Sequence, residues 1–316
     1  MSLSKYQLAV LSLIMANLIF GAAPPIFKWS LDQIQPFTLA FLRFALAAAI
    51  MYPFARKKLK IETTDWPILL FMSVIGVAFH VAYFYVGLKL TSSINVPMIA
   101  SAAPILLIIG STIFLHEKPK KKIIHGTLIS LIGVLIIILR PLFEHGLDSS
   151  LIGNILFTIS MGLSVFYTLL LKEISPKYNP LTLTFWTFAI TSVSLLPLML
   201  LEASQTNQML ILNAKSLTGI LFGAVMCTTV AYLLVTFAVK YISTNEVGLF
   251  SYVDPIITII LARILLGETI TTTFVLGSIL IFFGIFIAEG RLHYHPIHLL
   301  RKKPPPQIAK QNNLQT

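Results

Sequence analysis

Asp254 is the residue of this sequence with the greatest capacity for chemistry. It stands about ten residues into an apolar segment of roughly twenty-two residues, and Pro255 follows it. If that segment crosses a membrane, an acid at this depth is costly to bury and functional by default, while the proline removes one helix hydrogen bond. We expect Asp254 to bind a proton or a cationic group. The alternative is a packing acid hydrogen-bonded to neighbouring Tyr or Ser side chains.

His80 is the second candidate, in the middle of another apolar segment. Tyr83 and Phe84 follow three and four residues later, so a helix would place all three on one side. An imidazole there can titrate near neutrality, although a lone histidine also serves as an interhelical hydrogen-bonding group. In a later segment, Tyr232 and Thr228 share a helix face in the same way.

Five further residues are candidates for binding. Arg43 lies near the middle of its segment, where it can pair with an acid, bind an anionic group or extend toward the membrane surface. Asn95 can line the mouth of a cavity. Glu246 begins the segment of Asp254, where an acid also favours a helix N-terminus. Asn17 and Trp186 can add polar or aromatic contacts.

The elements that carry these residues are predicted to be transmembrane helices. Of the 316 residues, 56% are hydrophobic and 11% are charged, whereas soluble domains carry about 25% charged residues. The apolar residues form blocks long enough to cross a bilayer as helices. The blocks predict an all-α polytopic membrane protein with ten transmembrane helices, at 8–27, 36–55, 67–88, 94–115, 123–139, 151–171, 181–201, 217–239, 245–266 and 274–289.

The distribution of Lys and Arg predicts the orientation. If the N-terminus is cytoplasmic, 17 of the 23 basic residues fall in cytoplasmic segments and only four in external ones. This is the bias expected of a membrane protein whose two termini face the cytoplasm. The formal net charge of +11 is thereby explained without nucleic-acid binding. The segment 291–316 is basic and Pro-containing, and we expect a disordered cytoplasmic tail there.

An internal repeat divides the chain in two. At an offset of 151 residues, matches occur between Lys89 and Lys240, Ser92 and Ser243, Val96 and Val247, Pro104 and Pro255, Glu117 and Glu268, Gly126 and Gly277, and Gly133 and Gly284. At an offset of 144, Lys28 matches Lys172, Pro36 matches Pro180, Thr38 matches Thr182, Phe41 matches Phe185, Phe44 matches Phe188 and Pro53 matches Pro197. Because each unit, 6–140 and 151–290, would hold five helices, the units must be inverted relative to each other. At one position the symmetry breaks: Ala103 corresponds to Asp254.

The repeated segments also resemble a known family. "APILLIIGSTIFLHEK" with "HGTLISLIGVLII", and "DPIITIILARILLGET" with "LGSILIFFGIFIA", are similar to the two EamA repeats of the drug/metabolite transporter superfamily. The resemblance covers essentially all of residues 6–290. It implies a ten-helix carrier with a central cavity to which the third, fourth, eighth and ninth helices contribute. Similar proteins move amino acids, sugars, nucleotide derivatives, cationic drugs and other metabolites, so no substrate follows from it.

Enzyme and cofactor motifs are missing from the sequence. His116-Glu117 lacks the second histidine at zincin spacing, and there is no Walker loop or nucleophile elbow. We therefore predict no enzymatic activity, no catalytic residue, no cofactor and no metal site. The expected partners are a small-molecule substrate and the lipid bilayer, without nucleic acid, and a homo-oligomer is compatible with the sequence.

The resulting prediction is a secondary active transporter in the bacterial inner (cytoplasmic) membrane. It would move a small metabolite, amino acid or drug by alternating access, with export favoured and proton coupling through Asp254. One alternative is uptake or exchange of an anionic or nucleotide-like metabolite, which would suit Arg43. Alternatives of other classes are a membrane-embedded enzyme, a channel or a structural membrane subunit.

Overall fold

The structure is a computed structural model that describes residues 4–100, 103, 106, 110, 121–146, 148–205, 213–242, 250 and 254–289. Within these residues the regular elements are all helical. The α-helices are α1 (Lys5–Leu31), α2 (Pro36–Ala55), α3 (Trp66–Ser73), α4 (His80–Leu90), α5 (Asn95–Ala100), α6 (Lys121–His145), α7 (Ser149–Ile174), α8 (Pro180–Gln205), α9 (Ala214–Leu221), α10 (Tyr232–Tyr241), α11 (Asp254–Leu266) and α12 (Thr272–Glu289).

Seven helices in the described part of the chain are long and apolar enough to cross a membrane. They are Lys5–Leu31, Pro36–Lys58, Thr63–Leu90, Ile124–Phe143, Ser149–Ile174, Pro180–Gln205 and Ala214–Tyr241. A shorter apolar helix covers Thr272–Gly284. The predicted spans 94–115 and 245–266, together with the tail 291–316, lie partly or wholly outside the described residues. The chain is an integral, multi-pass membrane protein.

Local sequence signals explain where several helices begin. Ser4 caps α1 through a capping box in which its hydroxyl accepts from the Gln7 amide while the Gln7 side chain accepts from the Ser4 amide. Pro36 occupies the first turn of α2, where its missing N–H costs nothing. The side chain of Asp148 caps α7 by accepting from the Leu151 amide.

Two helices depart from the plain α-geometry expected of them. A π-helical segment, Val74–Phe79, separates α3 from α4, and a second one, Phe222–Ala231, separates α9 from α10. Such turns widen the helix locally and are frequent at functional sites. Each therefore re-aims the side chains that follow, which begin with His80 and Tyr232 respectively.

Small residues bring the helices into close contact. A Cβ atom added at Gly87 of α4 would lie 2.9 Å from the carbonyl oxygen of Gly153 in α7, and one at Gly153 would lie 2.8 Å from that of Gly87. In lipid, helices gain no hydrophobic free energy by associating, so the van der Waals packing that such close backbone approach allows stabilises the helix pair instead. It holds α4 and α7 side by side.

Candidate functional site

A cavity of about 230 Å³ lies between α1, α2, α4, α5, α7, α10 and α11. Most of its wall is apolar or aromatic. Among its polar lining residues are Asn17, Arg43, His80, Ser164, Tyr167, Thr168, Cys227, Tyr232 and Asp254. A small enclosure with apolar walls and a few convergent polar groups is the usual form of a small-molecule site.

Asp254 is the first residue of α11 and lines this cavity. Its Oδ1 atom is buried and has no hydrogen-bond partner among the described residues. The backbone at this point is held tightly, because a Cβ at Gly21 would lie 2.9 Å from the Asp254 carbonyl oxygen, and Thr258 Oγ1 donates to the Gly21 carbonyl at 2.5 Å. An acid with a buried, unsatisfied oxygen in an apolar wall gains stability when a proton or a cation reaches it.

Arg43 reaches the cavity from α2 and is only 5% exposed. Its Nε donates to Thr228 Oγ1 at 2.7 Å, and its Nη1 donates to Tyr85 Oη at 2.9 Å. The guanidinium carbon lies 5.1 Å from the Phe27 ring centroid and 4.8 Å from that of Phe44. These contacts hold the cation inside the protein, so the side chain does not extend to the membrane surface.

His80 lines the cavity from α4 and is hydrogen-bonded to Ser160 of α7. Its Nδ1 lies 2.9 Å from the Ser160 carbonyl oxygen and 2.8 Å from Oγ, while Oγ donates to the His80 carbonyl at 2.9 Å. A carbonyl oxygen only accepts, so the Nδ1 atom must carry the proton. In the neutral ring, Nε2 is then an acceptor, and it forms no hydrogen bond with the described residues.

Tyr232 and Asn17 complete the polar part of the wall that the sequence predicted. The Tyr232 ring packs edge-on against Phe20, Phe44 and Phe188, with centroid distances of 5.9, 6.1 and 5.7 Å. Asn17 Nδ2 donates back to the Leu13 carbonyl of its own helix at 2.8 Å. That bond fixes the amide against α1 at the cavity edge.

Other predicted residues stand away from the cavity lining. Tyr83 is 37% exposed, while Phe84 at the next position does line the cavity. Asn95 Nδ2 lies 3.3 Å from both Thr91 Oγ1 and Asn154 Oδ1. Trp186 Nε1 donates to the Leu59 carbonyl at 2.9 Å. Glu246 lies outside the described residues.

Several wall residues were missed by the sequence analysis. Cys227 sits within the second π-helical segment and lines the cavity, although its position looked like ordinary apolar packing. Tyr167, Ser164 and Thr168 of α7 were hidden among many small polar residues of that helix. Tyr85, which holds Arg43, gave no signal beyond its aromatic type. The sequence offered one cue to the α7 residues: α7 is the repeat counterpart of α1, which also contributes to the cavity wall.

One end of the bundle is fastened by a charged cluster around Glu268. Its carboxylate accepts from Ser92 Oγ at 2.6 Å and from the Ser93 and Ile94 amides at 2.9 and 3.1 Å, and it pairs with Lys28 Nζ at 3.1 Å. Burial by itself would raise the pKa of Glu268, but these hydrogen bonds and the Lys28 charge lower it below its usual range. Glu268 stays ionised and ties α1 and the start of α5 to the loop before α12.

Comparison with known proteins identifies the family. The model of the EamA-like transporter family matches residues 7–139 and again residues 151–289. This chain belongs to the EamA-like transporter family. It is therefore a transporter of the membrane, and the family implies a small-molecule substrate.

Individual relatives agree with that assignment. An uncharacterized transporter of Archaeoglobus fulgidus is 24% identical over 286 residues, which cover 90% of this chain and 98% of the relative. The uncharacterized transporter YyaM of Bacillus subtilis is 27% identical over 283 residues, covering 87% and 91% of the two chains. A solved crystal structure shares the fold with a TM-score of 0.66 at 16% identity, over 89% of this chain and 96% of that one.

Proposed function

We propose that this EamA family member is a secondary active transporter that exports a small metabolite, amino acid or drug by alternating access, coupled to protons. The observation that carries the proposal is the buried Oδ1 of Asp254 in the cavity wall, which has no hydrogen-bond partner in the described part of the chain. A carboxyl group that is unstable when it is both ionised and unpaired favours a transport cycle in which Asp254 takes up a proton in one state and releases it in another.

Contacts at one helix pair support two inverted repeats as the basis of the movement. Ser130 Oγ donates to the Ile281 carbonyl at 2.9 Å, and these residues are separated by 151 positions, the repeat offset itself. A Cβ at Gly133 would lie 2.6 Å from the Gly277 carbonyl oxygen, and Gly284 lies correspondingly against Gly126. When each residue is replaced by its counterpart in the other repeat, the contact of Gly133 with Gly277 becomes the contact of Gly284 with Gly126, so the set of contacts stays the same. A pseudo-twofold axis through the crossing of α6 and α12 has this property.

A second pair of contacts follows the same symmetry. Phe44 and Phe188, which correspond at an offset of 144, pack with their ring centroids 5.7 Å apart. On this basis we divide the protein into repeats at 6–140 and 151–290. We assign ten membrane spans by adding 94–115, 245–266 and the helix that ends at Glu289 to the seven long helices.

Equivalent lysines close the two ends of the bundle. Lys28 donates to the Thr91 carbonyl, and its counterpart Lys172 donates to the Ile242 carbonyl at 2.6 Å, where Thr91 and Ile242 also correspond. Ile242 packs with Tyr6 near the start of α1, whereas Lys28 lies near its other end. We infer that these lysine contacts alternate, one opening as the other closes.

Orientation and direction complete the proposal. The charge distribution favours a bacterial cytoplasmic membrane with both termini inside, which places the Lys28 and Glu268 cluster on the external side. Export is proposed by analogy with similar proteins. One alternative is a carrier that takes up or exchanges an anionic metabolite. The positive charge of Arg43 in the cavity wall favours this alternative over an enzyme or a channel.

Metabolite profiling of cells with and without the protein, followed by flux measurement in proteoliposomes, tests this function. We expect saturable flux of the best candidate that accelerates under an imposed pH gradient. The Asp254→Asn variant should keep substrate exchange under equilibrium conditions but lose the response to the gradient. Unchanged acceleration by the pH gradient in Asp254→Asn would show that another group couples protons to transport.

A further inference from the structure

The guanidinium of Arg43 is a buried charge that has no acidic partner in the part of the chain that the structure describes. Both of its hydrogen bonds go to neutral hydroxyls, those of Thr228 and Tyr85. The ion pairs within the described residues join Lys28 to Glu268, Lys177 to Asp65 and Lys215 to Asp32, and none involves Arg43. A buried cation that lacks a counter-ion is strongly unfavourable, so its presence in this wall calls for an explanation.

The surroundings of the guanidinium leave part of it available. Aromatic rings of Phe27, Phe44 and Tyr85 lie 4.8–5.8 Å from its central carbon and offset some of the cost of burial. Of the five N–H donors of an arginine, Nε and Nη1 use one each. The Nη2 atom has no hydrogen bond within the described residues, and Arg43 lines the cavity.

The cation is also fixed in position from both halves of the chain. Thr228 holds it from the second π-helical segment, and Tyr85 holds it from α4. Gly223 makes room for its stem, because a Cβ there would lie 3.2 Å from Arg43 Cδ and 3.1 Å from the Phe27 ring. A guanidinium that is already fixed in position before the ligand arrives loses less conformational entropy on binding than a mobile one.

We propose that Arg43 forms an anion subsite in the cavity and binds a carboxylate of the transported molecule. The proposal rests on the transport function proposed above and narrows its substrates to small compounds that carry a carboxylate. The planar guanidinium matches a carboxylate in charge and geometry. A doubly charged phosphate is disfavoured because the same small cavity also holds the acidic side chain of Asp254.

Cys227 provides the means to test this in the intact protein. It is the only cysteine of the sequence, and it lines the cavity with Arg43. Cys227 is buried, so a small methanethiosulfonate reaches it through the cavity, and the rate of its modification reports whether the cavity is occupied. The probes are matched sets of four small compounds. Each set consists of a carboxylate, the corresponding amide, the corresponding amine without the carboxylate, and a phosphate monoester.

With the purified full-length protein we expect carboxylates to slow Cys227 modification, at concentrations about ten- to a hundredfold lower than their amides need. This range corresponds to the usual strength of a hydrogen bond to a charged group. In Arg43→Gln that advantage should disappear. Arg263→Gln is the matched control, because Arg263 is exposed on α11 and does not line the cavity; it should behave as the unmodified protein does.

The outcomes separate this proposal from that of proton coupling. Equal protection by amides and carboxylates, or no protection by any carboxylate, overturns the Arg43 subsite, and this comparison needs no variant to fold. Stronger protection by phosphate monoesters than by carboxylates also overturns it. Protection by carboxylates together with pH-driven flux that persists in Asp254→Asn would retain the subsite and reject Asp254 as the coupling residue.

Discussion

The carboxylate of Glu268 lies 3.1 Å from the ammonium of Lys28, and this ion pair joins two distant parts of the chain at one end of the bundle. Lys28 follows Phe27, which lines the cavity, and Glu268 also holds the backbone before α5, whose Val96 and Pro97 line it too. The pair therefore stands where the cavity would open at this end.

We expect Glu268→Gln to loosen that end of the protein. The amide keeps hydrogen-bonding capacity but loses the attraction to Lys28. A cysteine placed at Val96 in a Cys227→Ala background should react faster with a hydrophilic thiol reagent when Glu268→Gln is added. Asp32→Asn removes the exposed pair with Lys215 and is the control. Equal reactivity of the Glu268→Gln and control proteins would exclude a closing role for Glu268.

The same pair makes a prediction about pH. Because the folded-state pKa of Glu268 is lowered, its stabilising contribution is complete above the ordinary carboxylate range and is lost only as pH falls through the lowered value. Between about pH 5.5 and 8 we therefore expect that titration of Glu268 causes no change in the labelling of Val96→Cys. A rise in labelling already near pH 6 would contradict the assignment.

His80 should act as a hydrogen-bond acceptor toward the substrate. In His80→Asn the shorter amide can still donate to the Ser160 carbonyl, as Nδ1 does, but the Nε2 acceptor is gone. We expect nearly unchanged thermal stability and a substrate affinity about tenfold weaker, the usual effect of losing one good hydrogen bond. Titration of Cys227 protection measures the affinity. Unaltered affinity in a folded variant would assign His80 a structural role only.

Asp254→Asn should stabilise the protein while it abolishes proton coupling. Removing a carboxylate whose buried oxygen finds no partner among the described residues relieves an unfavourable burial. We expect the melting temperature in detergent to rise by a few degrees, since about 1 kcal/mol corresponds to a shift of that size. Asp148→Asn, which preserves the cap of α7, serves as control. A lower melting temperature would show that Asp254 is satisfied by a partner in the folded protein.

The crossing of α6 and α12 should tolerate no side chain at Gly133. A Cβ there would lie 2.6 Å from the Gly277 carbonyl oxygen and 2.8 Å from the Ile281 amide nitrogen. Gly133→Ala should destabilise the protein by about 1–3 kcal/mol, as overpacking usually does. Gly162→Ala is the matched control, because nothing lies within 4 Å of an added Cβ there. Equal melting temperatures of the two variants would refute the close crossing.

Sequence reasoning predicted the helical membrane architecture well because long apolar blocks have few alternatives in a bilayer. It also selected Asp254, His80, Arg43, Tyr232 and Asn17, which the structure brings to one cavity; their roles in binding stay predictions. Polar side chains inside apolar segments are rare enough to be noticed individually.

The sequence could not predict which partners each of these side chains contacts. Adjacent residues on a helix differ by about 100°, so Tyr83 and Phe84 cannot both face a narrow cavity, and only packing decides between them. Trp186 bonds to Leu59 instead of facing the cavity, because Leu59 presents a free carbonyl just beyond α2. Nothing in the local pattern indicated that Thr228 and Tyr85 would hold Arg43 together.

The π-helical segment Val74–Phe79 has a consequence for how this protein can change. A π-turn contains one residue more than the α-turn it replaces, so deleting a single residue there would restore a regular helix. His80 and the residues after it would keep their orientation, because the wide turn already absorbs the extra residue, whereas a deletion in the regular helix beyond it would rotate every later side chain by about 100°. The hydropathy of the span would hardly change. The π-helical segment is thus the place where this span can lose a residue while His80 stays in the cavity wall, so the length of the helix can vary there without a change in the binding residues.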